Sequence, residues 1–227
     1  METTISDNRY SYTVFFDLDR TIIPKVSGRE LAYVAVSNGQ IKPIILVIIL
    51  VNYLLYKIRL LTPQTMAEKM IGWTKNIPGV TFNELCAETT YVRLIPAIYK
   101  DALKEIEFHR DNNARIVFLS ASVIQVCEKV AEKTGADDII CTELEIKDNL
   151  LTGKTSGRLC FGEEKGKRLR EYCYKNNINN SESFYYGDSI SDIPVFIQVG
   201  SPVCINPGYR LKKIAERNGW QTLKWSA

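Results

Sequence analysis

The hydrophobic pattern of the chain is organised around short apolar runs that end in polar residues. The first run starts at Tyr12 and stops at two carboxylates, Asp17 and Asp19, which are one residue apart. Later runs end in the same way at Ser120 and at Asp188. Runs with such boundaries predict buried strands. Ligands bind outside the carboxyl ends of central strands in open α/β sheets, so these positions are the first candidates for a functional site.

Strands and helices alternate along most of the chain. The alternation predicts a parallel, Rossmann-like sheet in a three-layer α/β/α core. Residues 143–160 alternate and turn at 147–149, which predicts a β-hairpin. Gly135 is expected to end the helix before it. The other predicted elements are strands at 12–17, 115–119, 139–142, 184–186 and 202–205, the last at a sheet edge, and helices at 97–110, 121–133, 165–176 and 212–220.

The region from Pro24 to about Leu94 shows only helical patterns. Glycine and proline divide it at residues 39, 42–43, 62–63 and 78–79. The sequence therefore predicts a helical insertion directly after the Asp17 loop. The expected division is a core of residues 1–23 and 95–227 and an inserted helical unit of residues 24–94.

The most apolar part of the insertion is residues 44–56. Its 13 residues are interrupted by Asn52 and fall short of the roughly 20 needed to span a bilayer. One interpretation is a helix buried within the insertion. The other is an apolar surface that makes a peripheral membrane contact or meets an apolar substrate, with Lys57 and Arg59 facing anionic headgroups. Apolar residues occur all around the helical wheel and cannot all face one small core, so both interpretations stay open.

Composition supports a folded domain of this size. The chain has 227 residues, of which 45% are hydrophobic, and this is enough for one full core with an insertion. Its 29 basic and 26 acidic residues are scattered along the chain and give a net charge of +3. A nucleic-acid partner is therefore not expected, because binding along phosphates needs a concentrated basic stripe.

The six cysteines are far apart and form no Cys-x-x-Cys pair. Buried free thiols in a reducing compartment are expected rather than a zinc site or a disulfide framework. Residues 1–10 are polar and lack the apolar core of a signal peptide. The expected location is the cytoplasm.

The polar residues at the strand ends suit phosphate chemistry, although each also has a simpler interpretation. One of Asp17 and Asp19 can act as a nucleophile and the other as proton donor and acceptor, or the two can be a chance pair in a loop that binds nothing. Ser120 with the start of the predicted helix at Ala121 and Ser122 offers a hydroxyl and amides to a phosphate, or is only a helix cap. The only histidine, His109, lies at the polar end of a predicted helix and is expected on the surface.

Four ordered motifs resemble those of haloacid dehalogenase-like hydrolases, in the phosphoserine phosphatase-like branch (subfamily IB). Residues 17–21, Asp-Leu-Asp-Arg-Thr, resemble the Asp-x-Asp-x-Thr signature of this family. Ser120 after its apolar run, Lys165 before Gly166, and residues 187–192, Gly-Asp-Ser-Ile-Ser-Asp, match the later motifs in order. The resemblance covers residues 12–206 and implies the fold of that family with a small helical cap.

The resemblance also implies a mechanism and a set of roles. Asp17 would be the nucleophile, Asp19 the acid and base, and Lys165 the cation that neutralises the phosphoryl group and Asp17. Mg²⁺ would be held by Asp17, the backbone carbonyl of Asp19 and Asp188, with Asp192 outside the ligands. The implied phosphate-binding residues are Thr21, Ser120, Ala121, Ser122 and Lys165.

Two departures from the family pattern bear on the substrate. Phosphoserine phosphatases carry a glutamate seven residues after the second aspartate, where this chain has Val26. Ser191 stands where many relatives have asparagine. The leading hypothesis is a phosphatase that acts on a small phosphorylated metabolite. A phosphatidylglycerophosphate-type lipid phosphatase and a non-catalytic binding protein of the same fold are the alternatives.

Overall fold

The sheet at the centre of the protein has six parallel strands. The computed structural model describes residues 10–226, apart from the side chains of residues 63, 64 and 67, so the polar stretch used for the signal-peptide prediction lies almost entirely outside it. The strand order is β3-β2-β1-β6-β7-β8. The strands are β1 (Tyr12–Phe16), β2 (Ala114–Val123), β3 (Asp138–Thr142), β6 (Phe184–Gly187), β7 (Ser201–Ile205) and β8 (Gln221–Leu223).

Successive residues of the strands pack into two separate cores, one on each face of the sheet. In β1, Val14 and Phe16 belong to one hydrophobic cluster and Phe15 belongs to the other. Side chains alternate between faces along a strand, so apolar residues at every position mean that both faces are covered. This arrangement confirms the predicted three-layer α/β/α fold.

The described part of the chain contains nine helices, several of which pack on the two faces of the sheet. Leu31 of α1, Phe82 of α4 and Ile106 of α5 lie in the first core. Leu169 of α7 and Leu211 of α9 lie in the second. The helices are α1 (Ser27–Ser37), α2 (Ile44–Lys57), α3 (Pro63–Ile71), α4 (Gly79–Thr89), α5 (Lys100–Asp111), α6 (Ile124–Thr134), α7 (Glu163–Lys175), α8 (Ile193–Phe196) and α9 (Tyr209–Asn218).

Helices α1 to α4 lie between β1 and β2 in sequence, and the breaks between them fall at the predicted glycine and proline positions. Thr62 caps α3 by accepting a hydrogen bond from the Thr65 backbone N–H, directly before Pro63 at the first helical position. A π-helical turn at Thr90–Leu94 and a 3₁₀ turn at Ile95–Ala97 lead back to the core. The chain between the first two strands is therefore helical.

A separate antiparallel hairpin, β4 (Leu144–Lys147) and β5 (Leu150–Thr155), follows β3. It turns at Asp148 and Asn149, whose φ angles of 50° and 63° lie in the left-handed region. Gly135 ends α6 with a φ of 74°. Both features were predicted from turn residues.

Two strand predictions were wrong. β2 continues to Val123 and α6 begins only at Ile124, so Ser120, Ala121 and Ser122 have extended backbone and do not start a helix. The predicted edge strand at 202–205 lies inside the sheet as β7, between β6 and β8. The true edge, β8, has three residues, too few to give a recognisable pattern.

Helix α2 is not buried, contrary to the first interpretation of residues 44–56. Most of its apolar side chains are exposed, and only Ile49 and Asn52 are buried. Its 14 residues also fall short of a transmembrane helix. Among residues 10–226, the structure contains no helix with the length and apolar character needed to cross a membrane.

Buried polar and thiol groups complete the core. All six cysteines are buried and free, as expected from their spacing. His109, expected on the surface, is 2% exposed. It lies between the hydroxyls of Tyr12 and Tyr186, which come from two strands far away in sequence, and these contacts satisfy its ring nitrogens.

Candidate active site

The sheet order brings the predicted functional positions together. β1 lies between β2 and β6, so the ends of these three strands are neighbours. Asp17 follows β1, and its backbone N–H donates to the Tyr186 carbonyl at 2.9 Å, which extends the pairing of β1 with β6. Asp188 follows β6, and Ser120 lies in β2. The site is therefore built at the carboxyl edge of the sheet.

Lys165 lies between two carboxylates at this edge. Its Nζ is 2.9 Å from Asp17 Oδ1 and 2.7 Å from Asp192 Oδ1. Asp192 also accepts hydrogen bonds from the Tyr185 hydroxyl at 2.9 Å and the Ser189 backbone N–H at 3.2 Å. These three hydrogen bonds fix the position of the Asp192 carboxylate, and through it the position of Lys165.

Two glycines allow this close packing. A Cβ on Gly166 would lie 2.7 Å from both the Pro194 carbonyl oxygen and Gln198 Nε2. A Cβ on Gly187 would lie 2.8 Å from the Tyr185 ring and 3.1 Å from Asp192 Oδ2. Gly166 thus lets α7 approach α8, and Gly187 leaves room for the Tyr185 and Asp192 side chains.

Asp19 is held by the first residue of α1. The Ser27 backbone N–H donates to Asp19 Oδ1 and the Ser27 hydroxyl donates to Asp19 Oδ2, both at 3.0 Å. The Ser122 and Ser27 hydroxyl oxygens are 2.7 Å apart. Since the Ser27 proton points to Asp19, Ser122 donates to Ser27. Asp19 thereby caps one of the free N–H groups at the start of α1.

Burial raises the pKa of three carboxyl groups in the site, those of Asp17, Asp19 and Asp188. Burial, together with the Asp17 charge, raises the pKa of Asp19 to about 7, against hydrogen bonds from Ser27. Burial and the charges of Asp17 and Asp192 raise the pKa of Asp188 to about 8. Burial also raises the pKa of Asp17, although Lys165 opposes this.

Lys165 stays charged in this environment. Burial alone lowers the pKa of a lysine, but the carboxylates of Asp17 and Asp192 outweigh burial and raise it. The Lys165 ammonium contacts Asp17 and Asp192, and its charge also acts on Asp19 and Asp188. Four carboxyl groups thus share one buried cation.

The donor set fits a hard divalent cation. Oxygens of Asp17, Asp188 and Asp192 all lie within 4.8 Å of one another. Asp192 already accepts hydrogen bonds on both oxygens, so Asp17 and Asp188 are the better placed ligands. Mg²⁺ prefers carboxylate oxygens as ligands, and its charge would offset the mutual repulsion of these carboxyl groups.

Arg20 lies beside Asp188 at the exposed mouth of the site. Its Nε is 3.9 Å from Asp188 Oδ2, and its side chain is 62% exposed. Its φ of 63° is in the left-handed region, which is uncommon for a residue other than glycine, asparagine or aspartate. The Asp17–Thr21 loop thus holds a strained backbone at the point where it passes the acidic cluster.

The implied phosphate-binding residues differ in their surroundings. Ser120 and Ser122 are buried in the last part of β2, and the Ser122 backbone N–H donates to Ser120 Oγ at 3.3 Å. Ala121 between them is half-buried. Thr21 is fully buried, and its hydroxyl has no hydrogen-bond partner among the described residues. Thr21 thus has no exposed surface, and its role in phosphate binding stays a prediction.

Sequence reasoning missed Ser27, Arg20 and Tyr185. Ser27 and Glu30 match a Ser-x-x-Glu capping box, a visible signal of a helix start. The structure uses both residues differently, because Ser27 binds Asp19 and Glu30 pairs with Arg93 at 2.7 Å. Arg20 and Tyr185 carried no sequence signal, since their contacts depend on the sheet order.

Comparison with known proteins gives consistent results. The family model of haloacid dehalogenase-like hydrolases matches residues 14–196. The chain is 31% identical over 153 residues to an inhibition of morphological differentiation protein of Streptomyces azureus, covering 67% of this chain and 53% of that protein. It is 28% identical over 148 residues to phosphoserine phosphatase SerB1 of Mycobacterium tuberculosis, covering 64% and 48%. The chain thus spans about half the length of these relatives.

The fold also has a solved counterpart. A Bordetella pertussis Tohama I protein of unknown function superimposes with a TM-score of 0.86 at 24% identity, over 93% of this chain and 97% of that one. At this level of identity the likeness concerns the fold alone.

Proposed function

Because the chain belongs to the haloacid dehalogenase-like hydrolase family, we propose that it is a phosphatase that hydrolyses a phosphomonoester through an aspartyl-phosphate. The observation that carries the proposal is the contact of Lys165 with Asp17, 2.9 Å apart, in a buried acidic cluster beside Asp19. A carboxylate held by a buried ammonium next to a second, protonatable carboxyl group is suited to phosphoryl transfer.

Asp17 acts as the nucleophile. A carboxylate oxygen of Asp17 attacks the phosphorus in line, the bond to the ester oxygen breaks, and the electron pair leaves with the alcohol. Asp19 donates a proton to this leaving oxygen. In the second half-reaction Asp19 takes a proton from water, which attacks the aspartyl-phosphate and releases inorganic phosphate. A pKa of Asp19 near 7 suits both directions of proton transfer.

Lys165 and the serine hydroxyls bind the phosphoryl group. The Lys165 ammonium reduces the repulsion between a phosphate dianion and the Asp17 carboxylate. Asp192 positions Lys165 beside Asp17 by accepting a hydrogen bond from its Nζ. Tyr185 in turn donates to Asp192 and holds that carboxylate in place. Ser120, Ala121 and Ser122 offer hydroxyl and amide groups from extended backbone at the end of the sheet.

Mg²⁺ is the proposed cofactor, held by the carboxylates of Asp17 and Asp188 and by the backbone carbonyl of Asp19. The Asp19 side chain is already bound to Ser27, which leaves its carbonyl for this role. When bound, the ion offsets charge on the phosphoryl oxygens. A magnesium titration followed by thermal unfolding tests the site independently of activity. We expect Mg²⁺ to raise the melting temperature of the wild type and not that of Asp188→Asn.

Helices α1 to α4 form the proposed cap over the site. Ser27 connects the start of α1 directly to Asp19, and the chain returns to the core through residues 90–97. A cap of this kind excludes water and selects the substrate. In terms of domains, the proposed cap is 24–94 and the proposed catalytic core is 1–23 with 95–227.

A small phosphorylated metabolite in the cytoplasm is the proposed substrate. The relative named a phosphoserine phosphatase supports a small substrate, whereas Val26 at the position of the family's amine-binding glutamate argues against phosphoserine itself. Free thiols at all six cysteines agree with a reducing compartment. A lipid phosphate at a membrane surface is the second candidate, and the exposed apolar side chains of α2 favour it.

Hydrolysis of p-nitrophenyl phosphate with and without Mg²⁺ tests the proposed reaction. We expect activity that needs the metal and disappears in Asp17→Asn, while Asp111→Asn, an exposed aspartate at the end of α5, stays active. Beryllium fluoride, a phosphate mimic, should bind the wild type and not Asp17→Asn. A wild type that neither hydrolyses the ester nor binds beryllium fluoride would instead be a non-catalytic binding protein.

A further inference from the structure

The outward side of α2 is almost entirely apolar. Seven large apolar side chains of this helix have exposures from 37% to 56%. Two more exposed apolar residues, Ile58 and Leu60, follow its last turn. The seven side chains are Ile44, Val47, Ile48, Leu50, Val51, Tyr53 and Leu54. A contiguous apolar surface of this kind marks an interaction site in a folded protein.

The apolar and polar sides of α2 are the reverse of those of a water-exposed helix, because most of its apolar side chains point outward and its asparagine points inward. At 3.6 residues per turn, Val47, Leu50, Val51 and Leu54 share the outward side, while Asn52 lies on the opposite side and is 6% exposed. Asn52 is the only polar residue of α2 before Tyr53. A helix that meets water on its outside places such a residue outward and its leucines inward. The outward side therefore suits an apolar environment better than water.

The charged residues next to α2 in sequence are all basic. The sequence contains no aspartate or glutamate from residue 31 to residue 67. Lys42 lies just before α2, Lys57 in its last turn and Arg59 just after it, and all three are exposed. Apolar residues between exposed cations are complementary to a surface that has anionic groups above hydrocarbon.

We propose that α2 docks on an anionic lipid surface and lies in the plane of the interface. A helix of 14 residues is about 21 Å long, below the roughly 30 Å of the bilayer core, so it lies on the membrane rather than across it. The leucine, isoleucine and valine side chains enter the acyl boundary. Lys42, Lys57 and Arg59 contact headgroups.

A second copy of the chain is a poorer occupant of the same surface. In a two-fold symmetric contact, the same patch meets itself. The cations at the ends of α2 would then approach other cations, and residues 31–67 offer no carboxylate to pair with them. A dimer would therefore place like charges together, whereas an anionic lipid surface would pair these cations with opposite charges.

The docking surface lies close to the chain that carries Lys165. The Tyr56 ring, near the end of α2, contacts the Phe161 ring with centroids 6.2 Å apart. Phe161 is followed by Gly162 and α7, on which Lys165 lies. Docking through α2 thus brings the active-site end of the protein toward the lipid. The docking itself does not depend on the proposed phosphatase activity.

Vesicle co-sedimentation of the full chain tests the proposal. We expect the wild type to sediment with vesicles of phosphatidylcholine and phosphatidylglycerol, and less with phosphatidylcholine alone. Leu50→Glu with Leu54→Glu places two charges on the outward side and should lower partitioning by roughly tenfold or more. Ile197→Glu, at another apolar residue of 67% exposure, is the matched control and should bind like the wild type.

Circular dichroism and light scattering complete the test. Both exposed substitutions should keep the wild-type helix content, and hydrolysis of a water-soluble ester by the double variant separates lost docking from lost catalysis. A wild type that stays in the supernatant with anionic vesicles would overturn the proposal. So would a dimer that the double substitution dissociates without any vesicle binding, because the surface would then join two copies.

Discussion

Ser27 donates to both carboxylate oxygens of Asp19, through its backbone N–H and its hydroxyl, each at 3.0 Å. Ser27 is the first residue of α1, and Asp19 belongs to the loop after β1. The proposed acid–base group is therefore fixed by the helix that begins the inserted region. Substitution of Ser27 removes one of the two hydrogen bonds and leaves the other in place.

Ser27→Ala should reduce the ability of Asp19 to protonate the leaving group. We expect kcat/KM for an alkyl phosphate to fall about tenfold, because one hydrogen bond that orients the carboxyl group is lost. The value for p-nitrophenyl phosphate should change much less, since its leaving group needs little protonation. Ser37→Ala, at the other end of α1, is the control, and equal losses for both substrates would contradict the assigned role.

Asp192→Asn should impair both stability and catalysis. An amide offers one acceptor oxygen where the carboxylate now accepts from Lys165, Tyr185 and Ser189. We expect the free energy of unfolding to fall by about 2 kcal/mol and kcat to fall at least about tenfold. Urea denaturation and steady-state kinetics measure the two effects.

The control for Asp192→Asn is Glu171→Gln on α7. Glu171 pairs with Lys167 at 3.5 Å, but both side chains are exposed. The free energy of unfolding of Glu171→Gln should therefore stay within about 0.5 kcal/mol of the wild-type value. Wild-type activity in Asp192→Asn would show that Lys165 does not need this partner.

Substitution by alanine should have opposite effects on stability at two glycines that lie in helices. Gly166→Ala forces a Cβ to within 2.7 Å of the Pro194 carbonyl, and we expect a loss of about 1–3 kcal/mol. Gly28→Ala in α1 meets no atom within 4 Å and should stabilise the protein by up to about 1 kcal/mol through helix propensity. Urea midpoints compare the two, and a stable Gly166→Ala would show that α7 can shift without cost.

His109 should titrate below the ordinary range of a histidine. Burial lowers its pKa, and Glu105 opposes this. The Tyr186 hydroxyl donates to Glu105 at 2.6 Å, which leaves His109 Nε2–H to donate to Tyr186 and Nδ1 to accept from Tyr12. This network satisfies a neutral ring. The protein has one histidine, so a single imidazole resonance in an NMR titration reports the pKa directly.

The lowered pKa of His109 should make the folded protein less stable at low pH. A folded-state pKa below the unfolded value of about 6.5 means that the unfolded chain binds more protons, so this contribution to stability is lost as the pH falls through 6.5. The raised pKa values of Asp19 and Asp188 act in the opposite direction. The difference between wild type and His109→Gln isolates the histidine, and a titration at or above 6.5 would contradict the expected burial effect.

Local patterns were sufficient for most of the secondary structure. The strand at Tyr12–Phe16, the helix breaks near residues 39, 43, 63 and 79, and the turn at Asp148 and Asn149 all follow from apolar runs and turn residues. The resemblance of the motifs named the family correctly. These features depend on residues close together in sequence, so a single sequence contains the information.

The wrong predictions depend on contacts between distant residues. β2 continues past Ser122 because Val123 pairs with Thr142 of β3, and the Ser122 hydroxyl meets Ser27 of α1. His109 is buried because Tyr12 and Tyr186 bring hydroxyl groups to it. Neither pairing is visible before the sheet order is known.

The order of the strands has a consequence for how the protein folds. Phe16 of β1 pairs with Phe118 on one side and Tyr186 on the other, so the central strand gains its neighbours only after long stretches of chain have been ordered. Closing such long loops makes folding slow, because entropy is lost before the distant contacts form. Asp17, Lys165 and Asp192 meet only when this assembly is finished. Recovery of activity during refolding would therefore report a step no earlier than the joining of β6 to the centre of the sheet.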